Sequence, residues 1–102
     1  MSEFVKVAKA TDIGPGQSRS IQVKDQLVAV FNVAGQFFAL NNTCSHRGGS
    51  LAEGMVSGHE VTCPLHGAKF DLRTGERLGP PAFQGVARYR VRVAGSDVEI
   101  EL

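Results

Sequence analysis

Cysteine is scarce in this sequence: Cys44 and Cys63 are the only two among 102 residues. In a reducing compartment so sparse a pair points to a metal or catalytic site before a disulfide. A single structural bridge in an exported domain stays open on the cysteines alone. Charge of one sign is lacking too. Lys and Arg number 11 against 10 Asp and Glu, a net charge of +1, which removes the electrostatic basis for nucleic-acid binding. No apolar run approaches the roughly 20 residues of a membrane span. The start, Met1-Ser2-Glu3-Phe4-Val5-Lys6, has neither the basic opening nor the apolar stretch of a secretory signal. With the first residue a methionine, the expectation is a complete product made and kept in the cytoplasm. Internal repeats, low-complexity tracts and linkers are absent, and helical periodicity is missing beyond one turn near residues 11–13.

What remains is ordinary globular composition, 42% apolar and 21% charged, at a length suited to one domain spanning 1–102. The pattern is of short alternating strands between Gly-containing turns, an all-β chain. Placing Gly95-Ser96 at the tip of a two-residue turn pairs Val93 with Val98, Arg92 with Glu99, Val91 with Ile100 and Arg90 with Glu101. The Val and Ile side chains then share one face, and two Arg–Glu pairs face water on the other. Arg88, Arg90 and Arg92 read as a solvated outer strand face rather than a docking stripe. A second hairpin turns residues 26–33 back onto 36–40 through Ala34-Gly35 and sets Phe31 opposite Phe38. Further strands are expected at 4–7, 18–23 and 60–62. Phe4, Phe31, Phe37 or Phe38, Phe83 and Tyr89 read as core or edge packing.

The stretch 41–81 is different. It is rich in Gly and holds every Cys and His of the chain. Its constellation is Cys44-Ser45-His46, sixteen residues, then Cys63-Pro64-Leu65-His66. Thiolate and imidazole both bind first-row metals tightly, and two short pairs brought together satisfy a four-coordinate site. Zinc accepts this set, so a zinc-stabilised structural or interaction module is one reading. Zinc sites with two Cys and two His, however, usually group like ligands together, whereas here each arm carries one of each. That arrangement suits a two-iron cluster with Cys on one iron and His on the other. His59 stands outside the motif as a polar residue beginning a strand.

The motif, with Gly67 after the last ligand, resembles the Rieske family. The resemblance runs through Asn42-Thr43-Cys44-Ser45-His46-Arg47-Gly48-Gly49-Ser50-Leu51, Glu53-Gly54, Cys63-Pro64-Leu65-His66-Gly67-Ala68-Lys69-Phe70-Asp71 and Thr74-Gly75. Pro80-Pro81 is similar to the proline loop that covers the cluster from a third side. The fold this implies is an all-β, Rieske-like antiparallel β-sandwich with an inserted cluster-binding subdomain at about 41–81. The implied cofactor is one [2Fe–2S] cluster, with Cys44 and Cys63 on the buried iron and His46 and His66 on the outer iron. Gly48, Gly49 and Gly67 are candidates for close backbone approach to cluster sulfurs, besides making turns. Arg47 and Lys69, next to ligands, either bias docking toward acidic partners or serve solubility.

Two thiolates in place of four leave such an oxidised centre neutral, so an added electron is easier to accommodate, and the potential falls within roughly −150 to +300 mV. The high-potential members resemble C-x-H-x-G-C and C-x-C-H-G-S-x-Y. This chain has Gly49, Leu65, Ala68 and Phe70 at the places of the extra cysteines and the Ser and Tyr hydroxyls. Fewer donors to sulfur place the expected potential near the low end. With no open coordination position, the chain reads as an electron carrier, not an enzyme. It resembles the soluble ferredoxin component of bacterial ring-hydroxylating dioxygenases. The resemblance implies a flavin-dependent NAD(P)H reductase as donor, a terminal Rieske oxygenase as acceptor, and a monomer. The small Rieske subunit of assimilatory nitrite reductase, which would pass electrons to its large subunit, is the alternative within the class. A redox sensor using the cluster as a switch would need a hinge or second effector site, and none is legible.

Overall fold

Alternation along one strand determines how the layers stack. The computed structural model describes residues 3–43, 50–64, 67–78 and 85–101. Among these the strands are β1 (Phe4–Lys9), β2 (Ser18–Val23), β3 (Gln26–Val33), β4 (Gln36–Asn41), β5 (Met55–Ser57), β6 (Glu60–Thr62), β7 (Lys69–Asp71), β8 (Arg88–Tyr89), β9 (Val91–Ala94) and β10 (Asp97–Glu101). They form three antiparallel sheets, ordered β1-β10-β9, β2-β3-β4-β8 and β5-β6-β7. Successive side chains of a strand point to opposite faces. In β3 both sets are buried. Val28 and Val30 join a core with Ala8, Val98 and Ile100 of the first sheet. Ala29 and Phe31 join a second core with Val61 and Phe70 of the third. β4 repeats the division, Ala39 going to the first core and Leu40 to the second. The four-stranded sheet is therefore the middle layer, and its apolar run Val28-Ala29-Val30-Phe31 is that of a strand covered on both faces.

The hairpins have the anticipated registers. At the β3–β4 turn Ala34 and Gly35 both have left-handed φ, +52° and +92°, the twist-matched form of a two-residue connection. Phe31 stands opposite Phe38. The buried Asn32 secures this end: its Oδ1 accepts from Gly35 N–H at 2.8 Å and its Nδ2 donates to the Ile13 carbonyl at 2.8 Å. In the C-terminal hairpin Val93 faces Val98, Arg92 faces Glu99 and Val91 faces Ile100. The charged pairs close at 2.6 Å for Arg92–Glu99 and 3.8 Å for Arg90–Glu101. Val98 and Ile100 are buried, but Val93, beside the turn, stays 48% exposed. Arg92 also lies 4.1 Å over the ring of Phe4, so that aromatic packs at an edge. Phe83 lies outside the described residues.

Three expectations need correction. Arg88, Arg90 and Arg92 are not one strand face, because the chain changes sheets at Arg90. β8 pairs with β4 in the middle layer, and β9 pairs with β10 in the first sheet. Tyr89 and Val91 pack on the same core from these two sheets, which keeps the period-two pattern unbroken across the switch. β1 runs to Lys9, and a 3-10 turn follows at Ala10–Asp12. Strands β5 and β7, three residues each on either side of the anticipated β6, were not expected from the sequence. No helix among the described residues is long and apolar enough to cross a membrane.

Candidate metal centre

Three chain segments matter to the expected ligands, and the structure describes the residues that flank each of them. The first ligand segment, 44–49, departs after Thr43 and returns at Ser50, which form an isolated antiparallel bridge. Leu51 N–H donates to the Asn42 carbonyl at 2.8 Å just beyond it. The second, 63–68, is the tip of the β6–β7 hairpin, closed by a Cys63 N–H to Ala68 carbonyl bond of 2.6 Å. The third, 79–84, carries Pro80-Pro81. Its departure is held by Leu78 N–H on the Lys69 carbonyl at 2.8 Å, its return by Val86 N–H on the Gly75 carbonyl at 2.8 Å. Leu51, Cys63, Ala68, Phe70 and Leu72 belong to one buried cluster, and Val86 packs against it. A single core thus underlies all three bases.

Of the four ligands expected from sequence, only Cys63 falls within the described residues. It is 1% exposed, at the end of β6 and among the apolar side chains of that core. Cys44, His46 and His66 lie outside the described residues, as do Arg47, Gly48, Gly49, Leu65 and Pro80-Pro81. Gly67 has φ +75° with nothing within 4 Å of an added Cβ. Its backbone conformation, rather than crowding by the protein, is therefore what glycine satisfies there. Lys69 pairs with Glu60 at 3.5 Å, both partly exposed. The pair offsets part of its charge locally, although such a surface pair contributes only about 0–1 kcal/mol. His59 occupies the β5–β6 turn, not the strand itself. Its carbonyl accepts from Leu72 N–H at 2.8 Å, and its ring meets Phe38 edge-on at 5.5 Å.

Sequence reasoning placed two positions that build this frame within the resemblance without giving either a role. One is Asn42, 3% exposed; its place two residues before Cys44, inside the motif, was the available signal. The other is Asp71, which organises the turn after β7. Asp71 Oδ1 accepts from Arg73 N–H at 2.7 Å, Oδ2 from Arg73 Nη2 at 3.0 Å, and the Asp71 carbonyl from Gly75 N–H at 2.7 Å. The Arg73 side-chain hydrogen bond holds the Asp71 carboxyl below its ordinary range; partial burial opposes this, and the Arg73 backbone bond and charge reinforce it. A depressed folded value means stabilisation that is complete above the unfolded value of about 3.9 and is lost as pH falls through the folded one. Asp71→Asn should therefore be less stable than the parent at pH 7. The gap in denaturant midpoint between the two should close progressively below about pH 4. A gap independent of pH would remove the charge from the account.

The comparisons with known proteins agree with this frame. Residues 3–90 match the Rieske [2Fe-2S] domain. The chain belongs to the Rieske family. The biphenyl dioxygenase ferredoxin subunit of Pseudomonas sp. (strain KKS102) is 37% identical over 99 residues, covering 96% of this chain and 91% of that one. The 3-phenylpropionate/cinnamic acid dioxygenase ferredoxin subunit of Shigella boydii serotype 4 (strain Sb227) is 41% identical over 92 residues, covering 89% and 86%. Among solved structures, the ferredoxin of carbazole 1,9a-dioxygenase from Nocardioides aromaticivorans IC177 superposes with a TM-score of 0.91 at 31% identity, covering 95% of each chain. A complex of reduced oxygenase and oxidized ferredoxin in carbazole 1,9a-dioxygenase matches at 0.88 and 34% identity, covering 95% and 91%.

As a Rieske protein the chain has one [2Fe–2S] cluster as its cofactor, a group that accepts and donates single electrons. The described residues fit it. A buried sulfur at the rim of an apolar core suits a thiolate on the shielded iron, where low solvent access keeps the bond from exchange. In the sequence the other ligand expected on that arm, His66, follows Cys63 by three residues.

Proposed function

We propose that this chain is the ferredoxin component of a multicomponent ring-hydroxylating oxygenase. In this reading it takes electrons from a flavin-dependent NAD(P)H reductase and delivers them to a terminal Rieske oxygenase. Cys44 and Cys63 hold the inner iron, His46 and His66 the outer one. Residues 41–81 act as the cluster-binding subdomain of a single domain, and the protein works as a cytoplasmic monomer. The observation that carries the reading is the end-to-end match to ferredoxin subunits, 96% of this chain on 91% of the biphenyl relative. A related ferredoxin also forms a complex with its oxygenase. The chain's part is to bury the inner iron against Cys63 and its apolar neighbours, so that electrons enter and leave by the histidine side. The two curated relatives serve different aromatic substrates at 37% and 41% identity, so the substrate belongs to the oxygenase and is not encoded in the carrier.

The deciding experiment is metal and acid-labile sulfide analysis of aerobically purified protein, with visible spectra before and after dithionite and EPR of the reduced form. Two irons and two sulfides per chain, with a spectrum that bleaches on reduction, are the expected result. A colourless protein holding one zinc would return it to the structural-module reading. Mixing reduced protein with a ring-hydroxylating oxygenase should then reoxidise it rapidly, and failure with every oxygenase encoded beside it would remove the proposed acceptor.

The low potential expected from sequence has a direct check. Phe70 is fully buried in the cluster of side chains that includes Cys63. A hydroxyl introduced there donates to sulfur more strongly in the reduced state. A hydrogen bond to a charged acceptor contributes about 1.5 kcal/mol at the low end, which for one electron converts to roughly 65 mV if the whole of it is gained on reduction. Phe70→Tyr should raise the midpoint in a spectroelectrochemical titration by some tens of millivolts on that basis. An unchanged midpoint would show that this missing hydroxyl does not control it.

A further inference from the structure

The two ligand arms are closed in different ways. The β6–β7 arm continues a ladder, with Thr62 opposite Lys69 and Val61 opposite Phe70 below its tip. Among the described residues, the arm carrying Cys44 and His46 is closed by the Thr43–Ser50 bridge alone, with no strand pair beneath it. Closing a loop across a single bridge leaves its ends free to separate unless something else joins them. Asn42 does so. Its backbone N–H donates to the Leu27 carbonyl at 2.9 Å and its carbonyl accepts from Leu51 N–H at 2.8 Å. Its side chain then spans the gap. Nδ2 donates to Ser50 Oγ at 3.0 Å, and Oδ1 accepts from Ser50 Oγ at 3.2 Å and from Ala52 N–H at 2.9 Å. Beyond the gap, Ala52 is tied to β2 by Ser18 Oγ on its carbonyl at 2.6 Å.

We propose that Asn42 is the positioning residue of the first ligand arm: its side-chain amide replaces the missing ladder and fixes the distance across which Cys44 and His46 are presented to the second arm. This rests on the ligand assignment of the preceding section. A buried amide with both ends satisfied is held in one orientation, since any rotation would strand a buried donor or acceptor. Alanine at 42 leaves Ala52 N–H and the Ser50 hydroxyl without these partners, and the ends of the arm lose their side-chain tie. The middle sheet keeps its own ladder.

The test uses the holoprotein, once iron and sulfide have been confirmed in the parent. Asn42→Ala, Asn42→Asp and Ser50→Ala are compared with Asn32→Ala. The last removes another buried asparagine, 5% exposed, from the β3–β4 turn. Cluster loss to an iron chelator, EPR of the reduced form and the unfolding temperature are measured on each. Asn42→Ala should lose its cluster at least about tenfold faster, the equivalent of one or two buried hydrogen bonds, with altered EPR g-values. Asn42→Asp keeps the acceptor for Ala52 N–H and Ser50 and should restore most of the retention. Ser50→Ala should lie between, and is decisive if Asn42→Ala does not fold. Asn32→Ala should lower the unfolding temperature with parental EPR and cluster loss. Loss rates and g-values for Asn42→Ala no different from those of Asn32→Ala, or a Ser50→Ala protein identical to the parent, would overturn the clamp. A parent without iron or sulfide would overturn the ligand assignment instead.

Discussion

Cys63→Ser should yield protein with no stoichiometric iron or sulfide and no visible spectrum. It should also be less stable than His66→Ala, which is expected to lose the native spectrum while keeping more of its fold. The difference follows from position. Cys63 is 1% exposed and shares a core with Leu51, Phe70 and Leu72. Serine is a hard, weakly acidic donor in place of a soft thiolate, so iron binding is forfeited. The hydroxyl is then placed among apolar side chains, and taking a polar group into such surroundings costs stability that the softer, more apolar sulfur does not. The linkage between metal and fold adds to this, because binding to the native arms is itself folding free energy. Iron and sulfide per chain, far-UV circular dichroism and thermal unfolding report the separate effects. Full iron occupancy in Cys63→Ser would exclude this thiolate as a ligand.

Chemistry and architecture were legible in the sequence to different degrees. Hairpin registers could be read residue by residue at Ala34-Gly35 and Gly95-Ser96, since a two-residue turn leaves one pairing and the apolar face admits no slip. The cofactor class was equally plain, because thiolate and imidazole in mixed pairs have few other uses. The layering was not. Nothing in Val28-Ala29-Val30-Phe31 says which alternate residues meet the first sheet and which the third; that depends on chain segments far away. The sheet switch at Arg90 was hidden for a related reason. The alternation of Tyr89 and Val91 is the same whether one sheet or two carries it. The role of Asn42 was not legible because a hydrogen-bonded buried amide has no periodicity. Its importance arises only when Ser50 and Ala52 come back beside it.

Gly75→Ala should cause the largest loss of stability of any single methyl addition in the frame. Gly75 has φ +80°, and a Cβ there would lie 2.2 Å from the Val86 carbonyl oxygen. The approach is mutual: a Cβ on Gly85 would lie 2.4 Å from the Gly75 carbonyl oxygen, which itself accepts from Val86 N–H at 2.8 Å. Two glycines thus let the chain after the proline segment cross the β7 turn at backbone contact. An L-residue at left-handed φ costs about 1–2 kcal/mol, and forcing a methyl into backbone adds typically 1–3 kcal/mol. The sum, about 3 kcal/mol, corresponds to a fall of roughly 10–20 °C in unfolding temperature for a domain of this size. Gly95→Ala separates the two contributions, since Gly95 has φ +63° with nothing within 4 Å and carries only the conformational cost. Gly85→Ala meets only the crowding. The expected order of destabilisation is therefore Gly75 first, then Gly85, then Gly95. Gly75→Ala should also disturb the midpoint potential, because the crossing holds the return of segment 79–84 to the core under Cys63. If Gly75→Ala unfolds no earlier than Gly95→Ala, the two segments do not cross at backbone contact, and the hold on the third arm must come from elsewhere.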